Sequence, residues 1–228
     1  MHFILIDFII RKMDVALKKD KRKINNKFLL SIIEFFKVHK AKFEYFLFLF
    51  IMGILFFFSL LITNNLTTPY SGDYCAQQFS FYLNGYDDWH TFFKTGKFVF
   101  YDTNTFLGSN NIGSNSFYYL FDPFFLLTLI FPRFIIPQVM AFMTILKLSL
   151  SGIAFYFYIR YFNVKEECAK LCGLAYAFSG WVSWYLWFNH FSEVAVFFPI
   201  ILLGIEKVLK EKRSFNVKIL KINSINII

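Results

Sequence analysis

The chain has 228 residues, of which 57% are hydrophobic and 17% are charged, and its mean hydropathy is +0.50. Soluble domains contain about 45–50% apolar and about 25% charged residues, so this composition excludes an ordinary soluble domain. The net charge of +9 does not indicate a nucleic-acid partner, because the basic residues flank long uncharged stretches, and we expect the lipid bilayer as partner instead.

A basic segment precedes the first long apolar stretch. Residues 11–43 contain eleven Lys/Arg and three Asp/Glu, and the nineteen residues 45–63 contain no charge. At about 1.5 Å per residue, such a stretch covers the roughly 30 Å hydrocarbon core of a bilayer. Because Lys and Arg stay on the cytoplasmic side, we predict a cytoplasmic segment at 1–43 and a transmembrane helix at 44–64.

Residues 28–38 follow a run of basic residues and carry Phe28, Ile32, Phe35 and Phe36 near helical spacing. This pattern predicts an amphipathic helix on the anionic inner leaflet. A simple positively charged anchor explains it at least as well.

Residues 65–133 are predicted to form a long outer loop. They contain more acidic than basic residues, the reverse of the preceding segment: Asp73, Asp87, Asp88, Asp102 and Asp122 against Lys94, Lys97 and Arg133. Residues 117–131 are apolar but short, and a crossing there would move both later basic clusters outside. We therefore expect a re-entrant or interfacial element at 117–131.

Three further transmembrane helices are predicted within residues 134–209. Residues 134–159 are interrupted only by Lys147, and residues 172–188 and 191–205 form a hairpin whose turn holds Asn189 and His190. Residues 210–228 are a basic cytoplasmic tail. The fold class is thus an all-α membrane protein with about four transmembrane helices and a long outer loop after the first.

Two charged residues are candidates for chemistry. Asp73 follows the first span closely, where a carboxylate can act as a base or metal ligand toward a lipid headgroup, although most such residues are turn or cap residues. Lys147 lies inside an apolar span, which costs about 2.5–3.5 kcal/mol and normally requires a cavity or a partner. A phosphate ligand and a structural ion pair are equally good interpretations of Lys147.

The stretch 102–119 is rich in Asn, Ser, Gly and Tyr. Its amides and hydroxyls are suited to hydrogen-bonding a sugar on which Tyr118 and Tyr119 would stack. The alternative is that these residues only form turns, for which Gly108 and Gly113 supply conformational freedom.

Several short motifs, each weak alone, occur in an order and spacing typical of one family. In chain order they are Gly72-Asp73 with Gln77, Asn104-x-Phe106-Leu107-Gly108, Tyr118-Tyr119, Pro123-Phe124, Leu146-Lys147-Leu148, Ala175-Tyr176-Ala177-Phe178-Ser179-Gly180, and Asn189 leading to Pro199. Residues 71–209 thereby resemble the N-terminal part of the bacterial YfhO family, multispanning membrane proteins with the GT-C type of glycosyltransferase architecture.

The resemblance implies transfer of a sugar from a polyprenyl-phosphate carrier to a cell-envelope polymer such as teichoic acid, on the outer face of the bacterial plasma membrane. It implies a catalytic or metal-binding role for Asp73, with Glu193 as a second acid, and leaves the need for a divalent metal open. The substrate-binding candidates are Gln77, Asn104, Tyr118, Tyr119, Lys147 and Asn189.

The chain departs from the family pattern in three ways. Asp122 stands where Ser is expected before the Pro, and Glu193 stands where Asp is more usual. Family members are also several times longer, which predicts a truncated product or fragment. The alternative function is a noncatalytic membrane protein that acts as a scaffold or transporter subunit.

Overall fold

The computed structural model describes residues 39–68, 72–103 and 108–225, of which residue 117 and residues 212–225 are described by their backbone only. The predicted amphipathic helix at 28–38 and the candidate Asn104 lie outside the described residues. The chain divides into two compact units, Met1–Phe48 and Leu49–Ile228. The fold and site described below belong to the second unit, apart from the first residues of helix α1.

The first predicted span is helical. Helix α1 (Lys40–Phe56) and the short helix α2 (Phe58–Thr63) are separated by a single residue, Phe57. Backbone hydrogen bonds of the i to i−4 type continue across it, from Phe57 N to Gly53 O (3.1 Å) and from Leu61 N to Phe57 O (2.9 Å). The interruption therefore changes the geometry of one turn without ending the helical hydrogen bonding.

The middle segment, residues 72–133, contains much regular structure where the sequence predicted a loop. A π-helical turn (Tyr74–Gln78) leads into helix α3 (Phe79–Thr95), which ends at Gly96 with a positive φ of 69°. The remaining elements are β1 (Tyr101–Asp102), β2 (Ser109–Asn110), α4 (Asn111–Asn115), a second π-helical turn (Ser116–Leu120), α5 (Pro123–Thr128) and a 3-10 turn (Arg133–Ile135). Strands β1 and β2 pair antiparallel, with Tyr101 opposite Asn110.

An aromatic core holds the middle segment together. The ring of Tyr82 on α3 lies 4.8 Å from the ring of Tyr119 and 4.8 Å from the ring of Phe125, both in edge-on contacts. Trp89 Nε1 donates to Leu120 O at 2.8 Å, which satisfies the polar end of a large apolar side chain. Helix α3 is thus fixed by its aromatic face, a pattern that the sequence interpretation missed.

Helix α5 begins at Pro123, and Asp122 is its N-cap. The two carboxylate oxygens of Asp122 accept hydrogen bonds from Phe124 N (2.8 Å) and Phe125 N (3.0 Å). Proline at the first helical position and Asp before it are the preferred residues for a helix start. With six residues, α5 rises only about 9 Å and is too short to cross a bilayer as a helix. A re-entrant or interfacial position for it stays a prediction.

Helix α6 (Ile136–Tyr161) is the long central helix. Among the described residues, one helical stretch, Arg133–Tyr161, is long and apolar enough to cross a membrane. Helix α6 packs against both α7 (Glu166–Ala177) and α9 (Ser192–Ile225). Small residues bring α6 and α7 close, because a Cβ atom added to Gly152 would lie 3.0 Å from Gly173 O and 3.2 Å from the Cβ of Ala177.

The hairpin before α9 differs from the predicted single helix at 172–188. Helix α7 starts earlier, at Glu166, and ends at Ala177. Ser179 then caps a new short helix, α8 (Gly180–Trp184), by accepting a hydrogen bond from Val182 N, and a 3-10 turn (Tyr185–Trp187) follows. The cap residue starts a second helix where the apolar composition alone suggested continuation.

Helix α9 continues through Pro199. Proline has no N–H, so the carbonyl of Ala195, four residues earlier, lacks its usual helical donor. The hydroxyl of Tyr176 on α7 donates to Ala195 O at 3.1 Å and replaces that donor. This contact ties α7 to α9 at the helix irregularity.

Candidate functional site

A buried ammonium group forms the centre of the site. Lys147, in the middle of α6, is 1% exposed. Its Nζ lies 2.6 Å from Glu193 Oε1 and 4.0 Å from Asp122 Oδ2, and it donates to Asn189 O at 3.1 Å. We call Lys147, Asp122, Asn189 and Glu193 the Lys147 cluster.

The cluster gathers residues from three elements. Asp122 is held by capping α5, Lys147 by its position on α6, and Glu193 by the first turn of α9. One ammonium faces two carboxylates, so the three groups would carry a net charge of −1 if both acids were ionised. Burial makes such an imbalance costly, and this arrangement favours a shared proton or an additional cationic or hydrogen-bonding group.

Asn189 binds Lys147 through two atoms. Besides the backbone carbonyl, its Oδ1 accepts from Lys147 Nζ at 3.3 Å, and Ser192 Oγ donates to the same backbone carbonyl at 2.6 Å. Asn189 is buried, and its Nδ2 has no hydrogen-bond partner among the described residues. A buried amide N–H without an acceptor is a donor available to a ligand or a water molecule.

A second hydrogen-bonded group lies beside the cluster. Gln78, on the first π-helical turn, is fully buried, and its Oε1 accepts from the hydroxyl of Tyr119. His190 Nδ1 lies 3.3 Å from the same oxygen, and the ring of Tyr118 meets the His190 ring edge-on at 5.1 Å. The Nε2 of Gln78, like the Nδ2 of Asn189, has no hydrogen-bond partner in the described part of the chain.

Burial determines the protonation of this second group. Desolvation raises the pKa of Tyr119, so its hydroxyl keeps its proton and donates to Gln78. Desolvation and the nearby Lys147 charge lower the pKa of His190 to about 4, with Asp122 opposing them. Near neutral pH, His190 is therefore uncharged and offers one donor and one acceptor nitrogen.

A groove reaches the cluster at Glu193. It has a volume of about 370 Å³ and is lined by Glu193 and His190 together with apolar side chains of α9, among them Phe197 and Phe198. The apolar walls and the polar end suit an amphiphilic molecule.

The comparison with known families identifies the chain. A family model described as bacterial membrane protein YfhO matches residues 44–219. The chain belongs to the YfhO family. The match starts at the first predicted span, upstream of the motifs that carried the resemblance. No curated protein and no solved structure matches the chain.

The structure brings together five of the residues that the YfhO resemblance singled out: Tyr118, Tyr119, Lys147, Asn189 and Glu193. Gln77 is exposed, and the neighbouring Gln78 is the residue that contributes to the site. Asn104 lies outside the described residues. The catalytic and binding roles of all these residues remain predictions.

Asp73 is half-buried at the start of the first π-helical turn. Within the described part of the chain it has no hydrogen-bond or ion-pair partner, whereas Glu193 binds Lys147 at 2.6 Å. The preceding Gly72 has a φ of 80°, and a Cβ atom there would lie 3.7 Å from the Trp187 ring. The residue before Asp73 therefore lies beside the Trp187 ring.

Sequence reasoning missed Gln78, Asp122 and His190 as members of the site. Asp122 was visible as a departure from the YfhO pattern and as an N-cap before proline. No sequence signal distinguished Gln78 from Gln77. Among the described residues, no group of three or more His, Cys, Asp or Glu side chains is placed to hold a metal ion.

Proposed function

We propose that this YfhO-family protein is a membrane glycosyltransferase, or part of one, with about four transmembrane segments. It transfers a sugar from a polyprenyl-phosphate carrier to a cell-envelope polymer such as teichoic acid on the outer face of the plasma membrane. The spans are α1 with α2, α6, residues 166–187 and the first half of α9. The middle segment then lies on the outer face, as its acidic character favours.

The observation that carries this proposal is the Lys147 cluster itself. A buried charge within membrane helices is costly and normally marks a substrate or ion site. Here Glu193, the ion-pair partner of that charge, lines a groove with apolar walls, and the unpartnered amide N–H groups of Gln78 and Asn189 are available to donate to a sugar oxygen or a phosphate oxygen. A lipid-linked sugar combines the apolar and polar parts that such a site would bind.

The reaction needs a base and stabilisation of the leaving group. The acceptor hydroxyl attacks the anomeric carbon, the bond from that carbon to the carrier phosphate oxygen breaks, and the phosphate leaves with the bonding electron pair. We assign the removal of the hydroxyl proton to Asp73, whose carboxylate is not engaged by another group. Lys147 supplies positive charge toward the phosphate, and the ion pair with Glu193 partly compensates that charge.

The test compares two carboxylates of the middle segment. Asp73→Asn keeps the shape and hydrogen-bonding capacity of the side chain, and loss of a general base should lower transfer about 10²-fold or more. Asp87→Asn is the matched control, because Asp87 forms an exposed ion pair with Arg133 at 2.9 Å, and such pairs contribute at most about 1 kcal/mol.

The measurement is the level of polyprenyl-linked sugar and of sugar on the envelope polymer in cells that lack the gene and carry each variant. We expect Asp87→Asn to restore transfer and Asp73→Asn to fail at equal protein level in the membrane. Normal transfer by Asp73→Asn would remove Asp73 from the mechanism. Unchanged lipid-linked sugars on deletion of the gene would contradict the transferase proposal as a whole.

One observation supports the noncatalytic alternative. The ammonium of Lys147 is already bound by Glu193 and Asn189, so the cluster can also serve as a purely structural link between α6 and α9. In that case variants of the cluster would alter the stability of the protein and leave envelope sugars unchanged.

A further inference from the structure

A second groove lies between α6 and α9, toward the ends of these helices that are opposite to the Lys147 cluster. Its volume is about 590 Å³, and its walls are mostly apolar, formed by residues such as Leu150, Phe157, Ile200 and Leu203. Two cations, Arg160 on α6 and Lys207 on α9, complete the lining. Nothing in the proposed transferase chemistry uses this groove.

The two cations lie at one end of the groove because the helices run in parallel. Lys147 of α6 meets Glu193 of α9 near one end, and thirteen and fourteen residues later Arg160 and Lys207 line the same groove. At about 1.5 Å per residue, the cations lie about 20 Å from the Lys147 cluster. One end of the groove is therefore cationic and the rest is apolar.

Neither cation is neutralised by a carboxylate of the described residues. Arg160 donates through Nη1 to the backbone carbonyl of Val164, which orients the guanidinium without compensating its charge. In the described part of the chain, neither Arg160 nor Lys207 forms an ion pair with a carboxylate. Lys210 adds a third positive charge nearby, with Nζ 5.3 Å from the centre of the Tyr161 ring.

We propose that this groove binds an anionic phospholipid, with an acyl chain along the apolar walls and the headgroup phosphate between Arg160 and Lys207. Arginine is suited to phosphate because its planar N–H groups match two phosphate oxygens. Basic pockets between helices on the cytoplasmic side are typical sites for anionic headgroups. The positive-inside distribution assigns this end of α6 and α9 to the cytoplasmic leaflet.

The dimensions fit a lipid of one leaflet. From Leu150 to Arg160 the groove follows ten residues of α6, a length of about 15 Å. This is half of the roughly 30 Å hydrocarbon core, the depth that one acyl chain occupies. A soluble anion would use only the cationic end and would leave the apolar walls exposed to lipid without a defined occupant.

The test uses the full chain purified in a neutral detergent. The protein is titrated with phosphatidylglycerol or with zwitterionic phosphatidylcholine, and the retained lipid is counted by native mass spectrometry. We expect retention of about one phosphatidylglycerol in preference to phosphatidylcholine, and loss of this preference in high salt, because exposed charges are screened. Equal retention of the two lipids would overturn the proposal.

Variants locate the binding site. The double variant Arg160→Gln/Lys207→Gln should weaken phosphatidylglycerol binding about tenfold or more, since each basic residue contributes to the attraction. Lys165→Gln is the matched control: it removes an exposed charge close in sequence to Arg160 but outside the groove. An equal loss in Lys165→Gln would show nonspecific attraction to a basic surface and overturn the site.

A third variant tests the apolar wall separately from the charge. Ile200→Trp places a larger side chain at a half-exposed position of the groove and should weaken lipid binding while both cations remain. It also keeps the test decisive if the double variant folds poorly. Wild-type lipid retention in a well-folded Ile200→Trp protein would contradict binding of the acyl chain in this groove.

Discussion

Removal of the Lys147 ammonium should destabilise the protein more than removal of either carboxylate that faces it. In Lys147→Met the side chain keeps a similar length but loses its charge, so Glu193 and Asp122 are left buried without a counter-ion. Breaking a buried ion pair from one side costs about 3–5 kcal/mol. In Glu193→Gln, by contrast, Lys147 keeps Asn189 O at 3.1 Å and Asp122 at 4.0 Å. We expect that change to cost about 1.5–3 kcal/mol, the contribution of a hydrogen bond to a charged group.

The double variant Lys147→Met/Glu193→Gln measures the interaction between the two groups. Because the charges are removed together, its cost should fall below the sum of the single costs by about 0.5–3 kcal/mol, the range found for residues in one network. The free energy of unfolding is measured in mixed micelles by titration with a denaturing detergent and circular dichroism. Lys165→Met, at an exposed position, controls for the loss of a surface charge.

Two outcomes would refute this reasoning. If Lys147→Met were as stable as the wild type, the carboxylates would not depend on the ammonium. If the single costs were simply additive, Lys147 and Glu193 would not interact at the 2.6 Å distance that the structure gives.

Two further predictions concern helix packing, and both are measured as thermal unfolding in detergent. Gly152→Ala should destabilise the protein by about 1–3 kcal/mol, because the new Cβ meets a backbone carbonyl of α7 at 3.0 Å. Gly204→Ala, whose new Cβ has nothing within 4 Å, should stabilise the protein by up to about 1 kcal/mol. Equal shifts of the melting temperature in the two variants would contradict the close approach of α6 and α7. Tyr176→Phe should destabilise the protein by about 1–3 kcal/mol, since it leaves Ala195 O without the donor that Pro199 cannot supply. An unchanged melting temperature would show that this carbonyl needs no hydrogen-bond donor.

The sequence was informative about the central residue of the site. A lysine in an apolar span must find a partner, and the structure provides Glu193 and Asn189, both of which the family resemblance had singled out. The YfhO family itself was also recognisable from spaced motifs. These features depend on local composition and on the cost of a buried charge, which a single sequence reveals.

Other parts of the site depend on tertiary structure. Gln77 and Gln78 are neighbours that point in different directions from the helix axis, and only the packing of the π-helical turn decides which one is buried. Asp122 lies twenty-five residues before Lys147, and its approach requires that α5 packs beside α6. Helix α3 was missed because its polar residues suggested a loop, although Tyr82, Tyr86 and Trp89 share one face of it.

Stability alone gives a poor account of the Lys147 cluster. Well-packed apolar residues in place of a buried ion pair are often neutral or stabilising by about 1–4 kcal/mol, and the same replacement would remove the cost of a charge within a membrane helix. A structural link between α6 and α9 is therefore obtained more simply without charges, as the small-residue contact of Gly152 with α7 illustrates. The cluster also leaves the amide of Asn189 without an acceptor beside an open groove, which adds to its cost in the empty protein. A ligand that supplies acceptor oxygens to this amide removes that cost on binding, and this is the physical reason for placing the substrate there.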